Sequence, residues 1–307
     1  LGTVIAGTLA RAGVGFLRII DRDLVEWTNL QRQILYDEDD ARVGRPKAEA
    51  AALQIRKINS QIVVEPIATE LSHRNAKELL DDVDLILDGC DNFDTRFLIN
   101  DFSLSRGKSW IYGGAIGSTG QSMTIIPGQT PCLRCLIEDP PPPGSLPTCE
   151  TAGIIAPTSM IIASIESAEG LKILSGHPEA ITPDLLVMDV WTGRIRRVNL
   201  DGLKSSKTCP ACQRKEFPWL EGRIGTQTSS LCGRQAVQVV PSPSIPIDWD
   251  RLRRDLASKP GAKETPFLVR FEMDGFEFSV FRDGRAIIRG TDDVQLASSL
   301  YARYIGC

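Results

Sequence analysis

Apolar positions recur along the chain in two rhythms, one helical and one strand-like, and the two alternate. Val4, Ile5, Leu9 and Ala12 lie at helical spacing, and that segment stops at Gly13-Val14-Gly15. Phe16-Leu17-Arg18-Ile19-Ile20 follows as a buried-strand run that ends at Asp21. Helical spacing returns over residues 45–58 through Ala48, Ala51, Leu53 and Ile55, a strand is predicted over 62–67, and a short helix over 75–80. Residues 84–88 form an apolar run of the kind a parallel sheet buries on both faces, followed by a helix over 93–104 and a strand over 110–112. This succession predicts an α/β fold with a Rossmann-like, doubly wound, mostly parallel sheet. A helix that feeds a parallel strand should itself follow a strand. The pattern therefore calls for a strand and a glycine turn ahead of Leu1, with the sequence truncated at its N-terminus and Gly2 the last glycine of a phosphate-binding loop.

Beyond residue 120 the rhythm changes. Residues 121–126 predict an antiparallel strand, and the run from Pro140 to Pro143, with Gly144 and Pro147, can be neither helix nor central strand. A long apolar helix is predicted over 156–174, and strands over 185–188 and 195–198 pair. Residues 217–230 are polar and carry glycines, as a linker would. A second unit then begins, with strands over 237–240, 267–271, 276–281 and 286–288, helices over 249–257 and 292–304, and hairpin signals at Asp274-Gly275 and Asp283-Gly284. The expected division is a large domain over 1–215 with a zinc-clamped antiparallel portion, a linker over 216–235, and a small α+β domain over 236–307 whose role the sequence leaves open.

Composition narrows the class. A formal charge of -4 argues against a nucleic-acid partner, and no apolar run reaches the length of a membrane span. Eight cysteines without an export signal suit a reducing cytoplasm, where metal and catalytic roles outrank disulfides. Cys132-x-x-Cys135 and Cys209-x-x-Cys212 supply two chelating pairs, and four thiolates with no vacant position predict a closed, structural Zn²⁺ site.

The charged candidates sit at strand ends, where ligands of open α/β sheets bind. Asp21 is placed to accept from a ribose hydroxyl. Gly44-Arg45-Pro46-Lys47 opens a helix with proline in its first turn, and the free amides there favour an anion. Arg32 and Lys47 together suit a polyphosphate, and Asp91, beyond the strand at 84–88, suits a Mg²⁺ ion. Cys149 follows the proline-rich loop and is the candidate nucleophile; Cys232 is weaker, Cys90 and Cys307 are spectators, and His73 and His177 carry no assigned role.

Asp21, Asn29-Leu30-Gln31-Arg32-Gln33, Gly44-x-Pro46-Lys47, Asp91-Asn92, the two Cys-x-x-Cys pairs and Thr148-Cys149-Glu150-Thr151-Ala152-Gly153 together resemble the ThiF/MoeB/HesA family, relatives of ubiquitin-activating enzymes, over residues 1–212. The resemblance implies a cytoplasmic homodimer that uses ATP and Mg²⁺ to adenylylate the C-terminal Gly-Gly carboxylate of a small ubiquitin-like sulfur-carrier protein. The acyl-adenylate then receives sulfur, from a sulfurtransferase or cysteine desulfurase, to become a thiocarboxylate. It implies that Gly2, Asp21, Asn29, Arg32, Gln33, Lys47, Asp91 and Asn92 contact the nucleotide and its metal, with Arg32, Lys47, Asp91 and Cys149 in the chemistry. In part of the family the Cys149 position forms a sulfur-linked intermediate. Three alternatives share features of the sequence: a nicotinamide-dependent oxidoreductase, which has no need of Arg32, Lys47 and Asp91 together; a tRNA-modifying dehydratase relative; and a non-catalytic carrier-binding scaffold.

Overall fold

Helix α1 (Gly2–Ala12) buries Val4, Ile5, Leu9 and Ala10 and stops where Gly13, at φ 81°, turns its N–H back to the carbonyls of Leu9 and Ala10. The structure, a computed structural model, describes residues 1–139, 153–204, 208–224, 229–231, 235–240 and 249–305. The chain divides into two compact units, Leu1–Gly225 and Thr226–Cys307.

In the first unit α1 leads into β1 (Phe16–Ile20), and α2 (Glu38–Val43) and α3 (Lys47–Ile58) lead into β2 (Val63–Ile67). β1 and β2 pair in parallel as a two-stranded sheet. Pro66 is accommodated because β2 pairs on one side only, so its missing N–H breaks no central ladder. Ala51, Ala52 and Ile55 of α3 close over Ile62 and Val64. Then come α4 (Ala76–Leu80), β3 (Leu85–Leu87), α5 (Phe93–Arg106), β4 (Ser109–Ile116), β5 (Thr119–Ile125), α6 (Leu133–Leu136), α7 (Ala156–Leu174), β6 (Leu185–Asp189), β7 (Arg194–Val198) and α8 (Asp201–Lys204). The second sheet runs β3-β4-β5-β6-β7.

The pairing is less parallel than the sequence predicts. β3 and β4 are parallel, but β4–β5, β5–β6 and β6–β7 are antiparallel. Only Gly117 and Ser118 separate β4 from β5, and so short a connection can return a strand only antiparallel. The result is a mixed α/β unit with parallel and antiparallel pairs. A strip of α7 faces this sheet with small and polar residues, and glycines let it approach. A Cβ on Gly120 would stand 2.3 Å from Ile162, and one on Gly113 would stand 1.9 Å from the Glu166 carboxyl. The core below centres on Phe97, Phe102, Trp110, Met123 and Ile125. Within the span expected as linker, Trp219 is buried and its ring lies 4.6 Å from that of Phe97.

The second unit is a six-stranded antiparallel sheet in the order β10-β11-β12-β13-β9-β8, from β8 (Ser229–Leu231), β9 (Ala236–Val239), β10 (Lys263–Glu264), β11 (Leu268–Met273), β12 (Phe276–Phe281) and β13 (Ala286–Arg289). Alternate residues Val237, Val269, Phe271, Phe278, Val280 and Ile288 form its core with α9 (Trp249–Ala257) and α10 (Val294–Tyr304), through Leu256, Ala297, Leu300 and Tyr301. Asp274 (φ 52°) and Gly275 (φ 81°) make the hairpin that their sequence signals. Among the described residues no helix is long and apolar enough to cross a membrane.

Candidate functional site

The chain leaves β1 at Asp21, and Asp21 Oδ1 accepts the N–H of Asp23, 2.9 Å away. Residues 23–25 then zip onto 45–47: Val25 N–H donates to the Arg45 carbonyl, and Lys47 N–H to that of Asp23. This brings the Lys47 side chain, at the start of α3, against the end of β1. Its Nζ donates to Asp23 Oδ2 at 2.9 Å, and the residue is only 6% exposed.

Charge explains the titration of this group. Burial alone disfavours the Lys47 ammonium, but the carboxylates of Asp23 and Asp21 outweigh it and hold Lys47 above the ordinary lysine range, with Asp91 adding to them. Burial, opposed by Lys47 and assisted by Asp23, pushes Asp21 up to about 6. Asp21, Lys47 and Asp91, expected from the sequence to act together, thus share one electrostatic neighbourhood. Asp23 was missed. Its signal was the spacing Asp21-Arg22-Asp23 directly after a strand, which sets two carboxylates two residues apart.

Asp91 lies in the turn between β3 and α5 and is exposed. The Asn92 Oδ1 accepts from Thr95 N–H and caps α5, while its Nδ2 lies 3.4 Å from Asp91 Oδ1. The first turn of α1 abuts the same turn of chain, since a Cβ on Gly89 would stand 3.3 Å from the Gly2 Cα. Behind the turn lies a buried pair absent from the sequence expectations, Asp88 and Arg96.

The loop at 29–33 is placed differently. Asn29 is 1% exposed; its Oδ1 accepts from Glu26 N–H and closes a turn of 3₁₀-helix over Trp27–Asn29. Arg32 donates to the Thr28 carbonyl at 3.0 Å and makes no ion pair with the acids around Lys47. Gln33 is tied to the loop by its backbone N–H, which donates to the Asn29 carbonyl. Cys149 and Cys232 lie outside the described residues.

A second cluster lies where α6 meets the segment at 209–212. The Cys132 and Cys135 sulfurs are 3.8 Å apart, those of Cys132 and Cys209 3.7 Å, and those of Cys135 and Cys212 3.4 Å. All four lie within 4.8 Å of one another. A tetrahedron with Zn–S bonds of about 2.3 Å has edges of about 3.8 Å. The four sulfurs therefore already stand near the corners a tetrahedral thiolate site needs. Cys132 and Cys209 are buried and Cys135 and Cys212 partly so.

Three comparisons place this arrangement. The sulfur carrier protein ThiS adenylyltransferase of Bacillus subtilis is 40% identical over 307 residues, covering 100% of this chain and 90% of that protein. The SAMP-activating enzyme E1 of Haloferax volcanii is 35% identical over 212 residues, 69% of this chain and 76% of its own. Among solved structures, E. coli MccB with ATP superposes with a TM-score of 0.59 over 69% of this chain and 63% of that one; at 23% identity the likeness speaks for the fold alone. The profile of the ThiF family matches residues 1–211, and on that match the chain belongs to the ThiF family.

Proposed function

We propose that this protein is an ATP-dependent adenylyltransferase acting on the C-terminal carboxylate of a small ubiquitin-like sulfur-carrier protein that ends in Gly-Gly. The observation that carries the reading is 40% identity along the whole chain to a ThiS adenylyltransferase, together with Lys47 held at the end of β1 by Asp23, two residues from Asp21. The parallel pairs β1–β2 and β3–β4, with their helices, support a Rossmann-like, doubly wound arrangement that binds nucleotide at such ends.

In this reaction a carrier carboxylate oxygen bonds to the α-phosphorus of ATP. The bond from that phosphorus to the bridging oxygen breaks, and pyrophosphate leaves with the electron pair. Asp21 accepts from the ribose, Gly2 lies at the phosphate turn, and Lys47 and Arg32 neutralise the phosphates, Lys47 leaving Asp23 to do so. Asn29, Gln33 and Asn92 shape the pocket through their turns. Asp91 would hold Mg²⁺: its carboxylate is exposed and an oxygen donor of the type that ion takes. When bound, Mg²⁺ supplies further neutralisation of polyphosphate charge. Fixed charges of this kind accelerate nucleotidyl transfer without a covalent role for the protein. Cys132, Cys135, Cys209 and Cys212 would hold one Zn²⁺ as scaffold. A cytoplasmic homodimer, a sulfurtransferase or desulfurase as sulfur source, and a large catalytic domain over 1–215 joined through 216–235 to an accessory domain over 236–307 complete the reading.

The test is ATP–pyrophosphate exchange by the purified protein with a ubiquitin-like carrier ending in Gly-Gly. Exchange that requires the carrier and vanishes when its last glycine is removed is expected; carrier-independent ATP turnover, or none, overturns the proposal.

A further inference from the structure

The turn that carries Asp91 is short and exposed at Gly89 and Asp91, while Cys90 between them packs partly against the core. What fixes it is a buried guanidinium one turn into the following helix. Arg96 Nε donates to Asp88 Oδ2 at 2.8 Å, and Arg96 Nη2 donates both to the Cys90 carbonyl at 2.6 Å and to the Gly113 carbonyl of β4 at 2.7 Å. Asp88 completes the ring: its Oδ1 accepts the Cys90 N–H at 2.7 Å. Both backbone groups of Cys90, the residue next to Asp91, are thus held by one ion pair. Asn92 on the other side is held as the cap of α5.

The pair is shielded on every side. The Asp88 side chain is 0% exposed and that of Arg96 8%. The guanidinium carbon lies 5.3 Å from the centre of the Tyr112 ring and 5.8 Å from that of Phe93. Glu166 of α7 presses its carboxyl onto the Gly113 Cα, and neither of its oxygens finds a hydrogen-bond partner among the described residues. Burial, with Asp88 adding to it, pushes the Glu166 carboxyl well above the ordinary carboxylate range. A buried pair seldom contributes much net stability, because desolvation offsets the attraction. The geometry here serves placement instead.

We propose that Arg96 is a positioning residue for the metal carboxylate: acting through Asp88 and the carbonyls of Cys90 and Gly113, it fixes the backbone from which Asp91 projects. The inference rests on the reading of Asp91 as a Mg²⁺ ligand. Arg96 acts through these backbone contacts, and its effect appears as metal affinity. A loosely held carboxylate must be ordered at each binding event, which weakens binding without altering the ligand itself.

The experiment measures carrier-dependent ATP–pyrophosphate exchange against free Mg²⁺ at saturating ATP, in the full chain, for Arg96→Lys and Asp88→Asn. Lysine keeps the charge but has a single nitrogen, and cannot serve Asp88 and the two carbonyls from separate atoms as Nε and Nη2 do. The half-saturating Mg²⁺ concentration should rise about tenfold or more, while the rate at saturating Mg²⁺ stays within threefold of the unmodified protein. A folded Arg96→Lys protein whose Mg²⁺ dependence matches the unmodified one within twofold overturns the inference. Should neither variant fold, hydrogen exchange on the unmodified protein decides: the Cys90 amide must be protected at least a hundredfold over an unstructured chain, and unprotected exchange there overturns it equally. Asp91→Ala separates the two claims. If that variant keeps full exchange, the reading of Asp91 fails. If it loses exchange while Arg96→Lys is normal, only the positioning role fails.

Discussion

Lys47 Nζ stands 2.9 Å from Asp23 Oδ2, so the cation assigned to the phosphates is held by a carboxylate that the sequence expectations had passed over. The pair sits where the end of β1 meets the start of α3, with the Lys47 side chain 8% and the Asp23 side chain 20% exposed. In the proposed function, binding ATP would exchange one anion for another at Lys47, with Asp23 orienting the ammonium beforehand.

That relationship gives the first prediction. Lys47→Met should lower exchange by about 100-fold or more, in line with the loss of one preorganised charge at a developing phosphate anion. It should also destabilise the protein by about 1.5–3 kcal/mol, the usual range for hydrogen bonds to charged groups, because Asp23 loses its hydrogen-bonded cation and keeps Arg22, 3.8 Å away. Asp23→Asn should cost less activity than Lys47→Met. Exchange rates and thermal melts of the two variants check this; equal loss in both would make Asp23 a direct participant.

The second prediction concerns the four sulfurs. The purified protein should carry about one zinc per chain, and Cys209→Ser should lose both metal and thermal stability, since a closed thiolate site joins α6 to the segment at 209–212. Elemental analysis beside a melting curve reads both quantities. A stable protein without metal would remove the scaffold role.

Asp101 supplies a prediction in pH. It is buried on α5, its Oδ2 accepts Trp219 N–H at 3.0 Å and faces Leu220 N–H at 3.4 Å, and its Oδ1 has no partner among the described residues. Burial, partly opposed by those two N–H groups and by Arg134, pushes Asp101 up to about 7. Unfolded, the group titrates near pH ~3.9. The folded state therefore binds more protons between these values, so this group's stabilising contribution is complete below about pH 4 and declines as pH rises to about 7. At about 1.4 kcal/mol per pH unit the whole effect is at most about 4 kcal/mol. Asp101→Asn keeps an acceptor for Trp219 but cannot ionise. Its melting temperature should gain on that of the unmodified protein steadily from pH 4 to 7 and no further above that. A constant difference across the range would contradict the assignment.

The elements were legible because each carries its own periodicity and punctuation: α7 and α9 have the predicted bounds, and the spacing of the cysteines picked out the four whose sulfurs cluster. What was not legible depends on contacts between distant segments. Asp23 matters only because residues 23–25 fold back onto 45–47, and Arg96 only because β4 brings the Gly113 carbonyl beside the Cys90 carbonyl. Glu166 sits in a helix that scans as apolar, and only the missing side chain of Gly113 makes room for it. Asn29 shows the converse: a polar residue in a suggestive motif whose Oδ1 is spent on its own turn.

Cys149, which lies outside the described residues, divides two chemistries. Adenylylation needs charge at the phosphates and a carboxylate nucleophile that belongs to the carrier, so no enzyme thiol enters that step. Sulfur transfer is different: a thiol can displace AMP from the acyl-adenylate, forming a thioester and releasing AMP with the electron pair of the broken C–O bond. Cys149→Ala should therefore exchange pyrophosphate within about twofold of the unmodified protein, because the groups at Asp21, Lys47 and Asp91 are untouched. Thiocarboxylate formation should fall at least tenfold if the thioester is on the path. Mass spectrometry of carrier and enzyme after incubation with ATP separates the outcomes. A covalent carrier–enzyme species that disappears in Cys149→Ala places the thiol on the path, whereas undiminished thiocarboxylate in the variant removes it. Loss of pyrophosphate exchange in a well-folded Cys149→Ala protein would break the separation itself, and would require Cys149 to bear on the phosphate chemistry.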